Sequence, residues 1–397
     1  MGLTMHSDAA PLCAPVQVGP GVAAMIGRLA RFIPPKSLPG AAELLTARAA
    51  FSGWQQRGRI SANGSCHLLP TLDGWVAINL AREDDHRAVA ALVEAAPHVD
   101  PWITLADHAA TVTSAALRDR ATLLDMPASI LCEAATLPAV IARPLGRPNR
   151  GYANPSPLIV DLSAMWAGPL CARLLGLAGG KVVKVESPDR LDGMRFGNAR
   201  FYDWLHYGHD SVLVDMRSPA GLAGLMRLIG RADIVIESSR PRAMAGLGID
   251  PEKFLSGSAG RLWISISGYG RSGPSSNRPA FGDDAAVAGG LVARDNGGEP
   301  VFCADAIADP LTGLFAATTT LETRAAGGGV MLELSMAGVA ARFARKPPQI
   351  VQKAAQPTGN AETWMRDAPF PMTQPAKLIA PSGSAAAPGA HTHLYIP

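Results

Sequence analysis

Between Leu158 and Gly270 short apolar runs alternate with longer segments of helical spacing: LIVDL, PLCARLLGLA, KVVKVE, SVLVDM, PAGLAGLMRLIGRA, DIVIES and RLWISISGYG. An unbroken apolar run has no face to spare for water, so a strand made from it must be covered on both sides, and the intervening helices are the cover this chain supplies. The alternation predicts a parallel sheet with helices on both faces, a doubly wound α/β domain. Pro169 and Pro219 fall where a first helical turn tolerates a missing N–H, and Gly179-Gly180 falls where a helix ends through a left-handed residue.

Three stretches punctuate the chain: the opening to about Gly40, the segment RPLGRPNRGYANPSP from Arg143 to Pro157, and everything after about Lys346. Each mixes Pro, Gly, Ser, Asn or Ala without a sustained period, as linkers and tails do. They divide the chain into an N-terminal extension (1–40), a small α+β domain (41–148), the large α/β domain (149–345) and a Pro/Ala-rich C-terminal tail (346–397). In the small domain, WVAINL (Trp75 to Leu80) reads as a strand after the Asp73-Gly74 turn, and a helix with an acidic first turn begins near Asp84.

With 397 residues the chain can bury sizeable interiors without staples. Its five cysteines, Cys13, Cys66, Cys132, Cys171 and Cys303, form no C-x-x-C pair, fit neither a disulfide framework nor a zinc knuckle, and point to a reducing, cytoplasmic setting. The net charge of +3 is intermixed rather than striped, so no nucleic-acid partner is expected. Met1 to Pro20 lacks the order of a secretory signal and no apolar run approaches the roughly 18 to 20 residues that cross a bilayer, so no membrane association is expected. The histidines show no metal-binding spacing, and no metal is expected.

Two segments are candidate sites. The loop SAMWAGP (Ser163 to Pro169) joins the strand LIVDL to its helix at the carboxyl end of the sheet, where ligands gather and helix N-termini favour anions; on pattern alone an ordinary strand-to-helix loop is the favoured reading. Glu186 stands where a dinucleotide-binding acid is expected, but SAMWAG lacks G-x-G-x-x-G and Trp166 is bulky where pyrophosphate would need close approach. The second candidate is Asp309, followed by Pro310, a pair that reads as an N-cap and first helical residue. A carboxylate there could also stay ionised at neutral pH and attack a thioester carbonyl. Asp305 and the pair Asp283-Asp284 read as structural acids or caps, Gly327-Gly328-Gly329 as a turn, and RISANGSCHLL (Arg59 to Leu69) as a surface loop or a lid.

In order and spacing, DLSAMWAGPLCARLLGLAGGKVVKVESP (Asp161 to Pro188), SVLVDM (Ser211 to Met216), ADIVIESSRPRAMAGLGID (Ala232 to Asp250), ISISGYGRSGP (Ile264 to Pro274) and ADPLTGLFAATTTLETRAAGGG (Ala308 to Gly329) resemble the family III, CaiB/BaiF-type, CoA-transferases. The resemblance implies a Rossmann-like CoA-binding domain, an interlocked homodimer, and acyl-CoA and carboxylic acid as substrates, with coenzyme A a substrate moiety and no tightly bound cofactor. It places the nucleophile at Asp309 and CoA contacts at Met165, Trp166, Ala167, Val214, Ser238 and Ser239. The family commonly has Asn and an aromatic where Ser238-Ser239 stand and Gln where Ala286 stands. GRISANGSCHLLPTLDGWVAINL (Gly58 to Leu80) resembles the family's small-domain segment yet precedes the large domain, a circular rearrangement, and PGAHTHL (Pro388 to Leu394) resembles the family's ending. The expected activity is transfer of CoA from an acyl-CoA to a carboxylic acid through an aspartyl anhydride and an aspartyl-CoA thioester. The alternatives are an α-methylacyl-CoA racemase or epimerase, for which Phe281 and Gly282 offer no proton-carrying group, and a non-catalytic acyl-CoA binding protein of the same fold.

Overall fold

The computed structural model describes residues 13–15, 17–95, 100–149, 151, 154–345, 370–371, 381 and 383–396. Two helices come first, α1 (Val18–Leu29) and α2 (Ala41–Ser52). Three antiparallel strands follow, β1 (Cys66–Pro70), β2 (Trp75–Asn79) and β3 (Ala128–Ile130). Between β2 and β3 run α3 (Glu83–Val93), α4 (Pro101–Ala109) and α5 (Ser114–Leu123). The acidic first turn of α3 serves its own start: the Asp85 carboxylate accepts the Arg82 N–H at 2.8 Å. Val76, Ile78, Val89, Leu92, Leu105 and Leu117 form the core of this small unit.

The large sheet has seven strands: β4 (Val140–Arg143), β5 (Leu158–Asp161), β6 (Lys181–Glu186), β7 (Asp210–Leu213), β8 (Ile234–Glu237), β9 (Leu262–Ser267) and β10 (Val330–Ser335). Its order is β4-β10-β9-β8-β5-β6-β7, parallel throughout except for β4, which runs antiparallel to β10 at one edge. The parallel strands start at β5, proceed outward through β6 and β7, then return to lay β8, β9 and β10 on the other side. The direction of winding thus reverses between β5 and β8, and the loops leaving these strands part to open a crevice at their carboxyl ends. The covering helices are α6 (Ala167–Leu177), α7 (Ala199–His206), α8 (Pro219–Arg231), α9 (Pro241–Gly246) and α10 (Pro251–Ser256), then α11 (Gly282–Ala288), α12 (Ala308–Ala325) and α13 (Met336–Ala344).

One face of the sheet buries Ile159, Ile236 and Ile264 against α6, α12 and α13, and the other buries Val160, Val183 and Val235 with Leu225 and Leu228 of α8. The segment 41–53, grouped by sequence with the small domain, packs elsewhere. Residues 43–49 of α2 are all buried, and Leu44, Leu45 and Ala47 join the core formed by α6 and α12. A helix buried on every side has no solvent stripe to announce its partner, so its sequence position was a poor guide to its packing. Helix α12 lies against α6 through Gly313, where a Cβ would stand 2.7 Å from the Ala167 carbonyl oxygen and 2.8 Å from Leu170 Cβ. That close approach brings the first turns of the two helices together. The glycines 327–329, all left-handed, make the turn from α12 to β10.

Part of the C-terminal tail closes the far edge of the sheet. The His391 N–H donates to Ser211 O at 2.9 Å, the Ser211 N–H to His391 Nδ1 at 3.1 Å, and the Leu213 N–H to Thr392 Oγ1 at 2.9 Å. These bonds occupy the backbone edge that β7 would otherwise present to solvent. Among the described residues Cys66, Cys132 and Cys171 are free thiols, and no helix is long and apolar enough to cross a membrane.

Candidate active site

Asp309 is the second residue of α12 and not its N-cap; Ile307 occupies the cap position and Pro310 is the third helical residue. The correction has a local cause. Ala304 and Ala306 adopt left-handed conformations (φ 56° and 42°), and the Asp309 N–H donates to Ala306 O at 2.8 Å, which starts the helix earlier than the Asp-Pro pair suggests. The Asp309 side chain is thereby released from capping and turned toward the Gly282 backbone, whose N–H favours the ionised carboxylate. A Cβ at position 282 would lie 2.4 Å from Asp309 Oδ2 and 2.3 Å from Ala306 O, so only glycine allows this approach.

The charge on Asp309 also differs from expectation. Burial pushes its carboxyl up to about 7; the Arg48 guanidinium favours the ionised form, and the Asp284 and Asp305 carboxylates oppose it. At pH 7 roughly half of the population is ionised, where the sequence pointed to a fully ionised acid.

Asp309 lines a cavity of about 540 Å³. Met165 and Trp166 from the β5–α6 loop, Met194 and Phe196 from the segment after β6, and Asn63 from the loop before β1 form other parts of its wall. Asn63 is held in place by its own loop, its Oδ1 accepting the Ser61 hydroxyl at 2.7 Å and the Ser65 N–H at 3.0 Å. Arg48 reaches the wall from α2. Its Nε and Nη2 clamp Asp305 at 2.8 and 2.6 Å, and its guanidinium lies 5.0 Å from the Trp166 ring and 5.3 Å from the Trp54 ring.

The acid pair of α11 divides its tasks. Asp284 accepts the Phe281 N–H and the Asn79 side-chain N–H, each at 3.0 Å, and so caps α11 from its third position. Asp283 accepts the Ala306 N–H at 3.0 Å and lines the cavity. Burial pushes Asp283 up to about 8, with the Asp305 charge adding to it, and pushes Asp284 up to about 7.

Of the residues singled out by sequence, Asp309, Met165 and Trp166 meet on one cavity wall. Ala167 is buried at the start of α6 against Gly313. Ser238 Oγ accepts the Ala164 N–H at 3.2 Å across the β5/β8 crevice, and the Ser239 N–H donates to Glu237 Oε2 at 2.8 Å; neither serine lines the cavity. Val214 follows β7 and packs in the opposite core, off the wall. Ala286 is buried in α11. Arg48 and Phe196 escaped the sequence reading, which took Asp283 for a structural acid or cap. The signals of the first two were slight: one arginine inside an Ala/Leu-rich helix and an aromatic in a Gly-containing loop.

Residues 158–372 match the model of CoA-transferase family III. The chain is 30% identical over 218 residues to the succinyl-CoA–D-citramalate CoA-transferase of Chloroflexus aurantiacus, a match that covers 51% of this chain and 54% of that one. It is 30% identical over 184 residues to the human succinyl-CoA:glutarate CoA-transferase, covering 43% and 42% of the two chains. A solved CAIB/BAIF family protein from Brucella suis is 25% identical with a TM-score of 0.42, covering 47% of this chain and 53% of that one. The chain spans about half the length of the curated relatives it matches. With more than half of its residues inside the family model, the chain belongs to CoA-transferase family III.

Proposed function

We propose that the chain transfers coenzyme A from an acyl-CoA thioester to a carboxylic acid, with Asp309 as the nucleophile. An Asp309 oxygen attacks the thioester carbonyl carbon, the carbon–sulfur bond breaks, and CoA thiolate leaves a mixed anhydride on Asp309. The thiolate then attacks the Asp309 acyl carbon, releasing the donor carboxylate and forming an aspartyl-CoA thioester. An acceptor carboxylate displaces CoA from that thioester to give a second anhydride, and the thiolate attacks the acceptor's acyl carbon, yielding the new acyl-CoA and free Asp309. Every step exchanges acyl groups between oxygen and sulfur, so the thioester's free energy is kept if water stays out.

The observation that carries this reading is the placement of Asp309: a carboxyl on the wall of a cavity, in the first turn of a helix, approached by the Gly282 N–H and made partly neutral by burial. A group needed only as a cap would have its oxygens turned to its own helix. Met165 and Trp166 on the same wall form the proposed CoA contact, with Ala167, Val214, Ser238 and Ser239 proposed around it, and two chains are proposed to assemble as a homodimer. The test is to incubate the protein with a panel of acyl-CoA donors and hydroxylamine and to map the product by peptide mass spectrometry. A hydroxamate at Asp309 that requires acyl-CoA is the expected result; acyl-CoA turnover with Asp309 unmodified, and undiminished in Asp309→Ala, would remove the residue from the mechanism.

A further inference from the structure

We infer that Asp192 is a positioning residue that locks together two walls of the cavity; its functional arm rests on the reading of that cavity as the acyl-CoA site. Its Oδ1 accepts two backbone N–H groups at 3.0 Å each, from Met165 on the β5–α6 loop and from Met194 on the segment after β6. These are the two stretches that contribute Met165, Trp166, Met194 and Phe196 to the wall. One oxygen atom therefore fixes the spacing between them.

The carboxylate is itself held from behind. Asp192 Oδ2 accepts Lys184 Nζ at 2.9 Å, and the same ammonium donates to the Ser163 carbonyl in the β5–α6 loop. The Asp192 N–H donates to Glu186 Oε1 at 2.9 Å, and Glu186 is in turn gripped by Arg195, with Nη2 at 2.6 Å from Oε2. Lys184 and Asp192 are both buried, so the pair is strong only while both members are present. Lys184 and Glu186 stand on β6, so the strand anchors both loops to the rigid sheet.

The bond to Met165 has a conformational consequence. Met165 is left-handed (φ 72°), a region that a non-glycine residue enters only when its surroundings hold it there. Its N–H is the group that Asp192 captures, and Trp166 follows it directly into α6. Release of that N–H lets the peptide relax toward an ordinary conformation and swings Met165 and Trp166 relative to Met194.

The test must separate the acceptor oxygen from the buried charge, since Asp192→Ala alone also takes the nearest counter-charge from the buried Lys184, leaving it the Ser163 carbonyl and the Asp161 carboxylate at 3.8 Å. Two neutral pairs do so: K184M/D192L removes both charges and the acceptor, and K184M/D192N removes the charges but restores an acceptor oxygen. Hydrogen exchange of the ligand-free proteins is read for the peptides spanning 162–168 and 191–198. The leucine pair is expected to exchange at least tenfold faster in both segments together, with α12 unchanged, and the asparagine pair to recover protection in both. CoA affinity by calorimetry is expected to fall about tenfold in the leucine pair and to recover in the asparagine pair. Equal exchange in the two pairs overturns the positioning role whatever the ligand. Linked exchange without any CoA binding by the wild-type protein keeps the lock and overturns the CoA reading of the cavity.

Discussion

Gly282 and Asp309 approach so closely that a single added methyl group at residue 282 would lie 2.4 Å from the carboxylate oxygen. The two residues belong to the starts of different helices, α11 and α12, and the contact sets the position of the carboxyl within the cavity. The Gly282→Ala variant must move either Asp309 or the Ala306 carbonyl, which a packed interior resists at about 1–3 kcal/mol. Hydroxamate formation at Asp309 is expected to drop more than tenfold, with a urea midpoint lowered in proportion. Wild-type labelling in this variant would show that the contact does not set the nucleophile.

Arg48 and Asp305 form a buried pair, and removing one partner leaves the other charge without compensation. Arg48→Met is expected to cost about 3–5 kcal/mol, most of it recovered in Arg48→Met/Asp305→Asn. Chemical denaturation of the single and double variants checks this. In both, the pH midpoint for labelling should move upward, and by less in the double variant, because Arg48 influences Asp309 more than Asp305 does.

With the Asp309 carboxyl pushed up to about 7 by burial, its nucleophilic fraction falls tenfold for each pH unit below that value. Labelling at pH 5 is expected to run about a hundredfold slower than on its alkaline plateau. A flat profile from pH 5 to 8 would sink the assignment of Asp309 as the attacking group.

Stability responds to the same shift with the opposite sign. An acid whose folded pKa lies above its unfolded value makes the folded state bind more protons, so its contribution is complete below about pH 4 and is lost as pH rises through the folded value. Asp309 and Asp284, at about 7, and Asp283, at about 8, all act this way. The Asp284→Asn variant is expected to lose less stability between pH 5.5 and 8 than the wild type, measured as the difference in urea midpoints at the two pH values.

The parallel part of the sheet was readable because its strands announce themselves. KVVKVE, DIVIE and LWISIS are apolar enough to require burial on both faces, and Lys181–Glu186, Ile234–Glu237 and Leu262–Ser267 are strands. Antiparallel β4 was hidden, since four residues ending at Arg143 beside a Pro/Gly-rich stretch carry no pattern that distinguishes a strand from a linker. Asp309 was visible through the resemblance of its segment, and the order of strands explains why the loop with Met165 and Trp166 lies at the winding reversal. Arg48 and Asp192 were invisible for a physical reason. A buried charge paired across 257 residues with Asp305, or an acid whose partners are backbone N–H groups, leaves no local spacing to read.

The closure of β7 by His391 and Thr392 has a consequence in time. Ser211 and the His391 that caps it are 180 residues apart in the chain. At a synthesis rate of about 5–20 residues per second, the strand emerges from the ribosome on the order of ten seconds before its cover exists. During that interval the edge can pair with any extended segment nearby, including the same strand of a neighbouring nascent chain. Yield of soluble protein should therefore depend on how fast the stretch of message between Leu213 and His391 is translated.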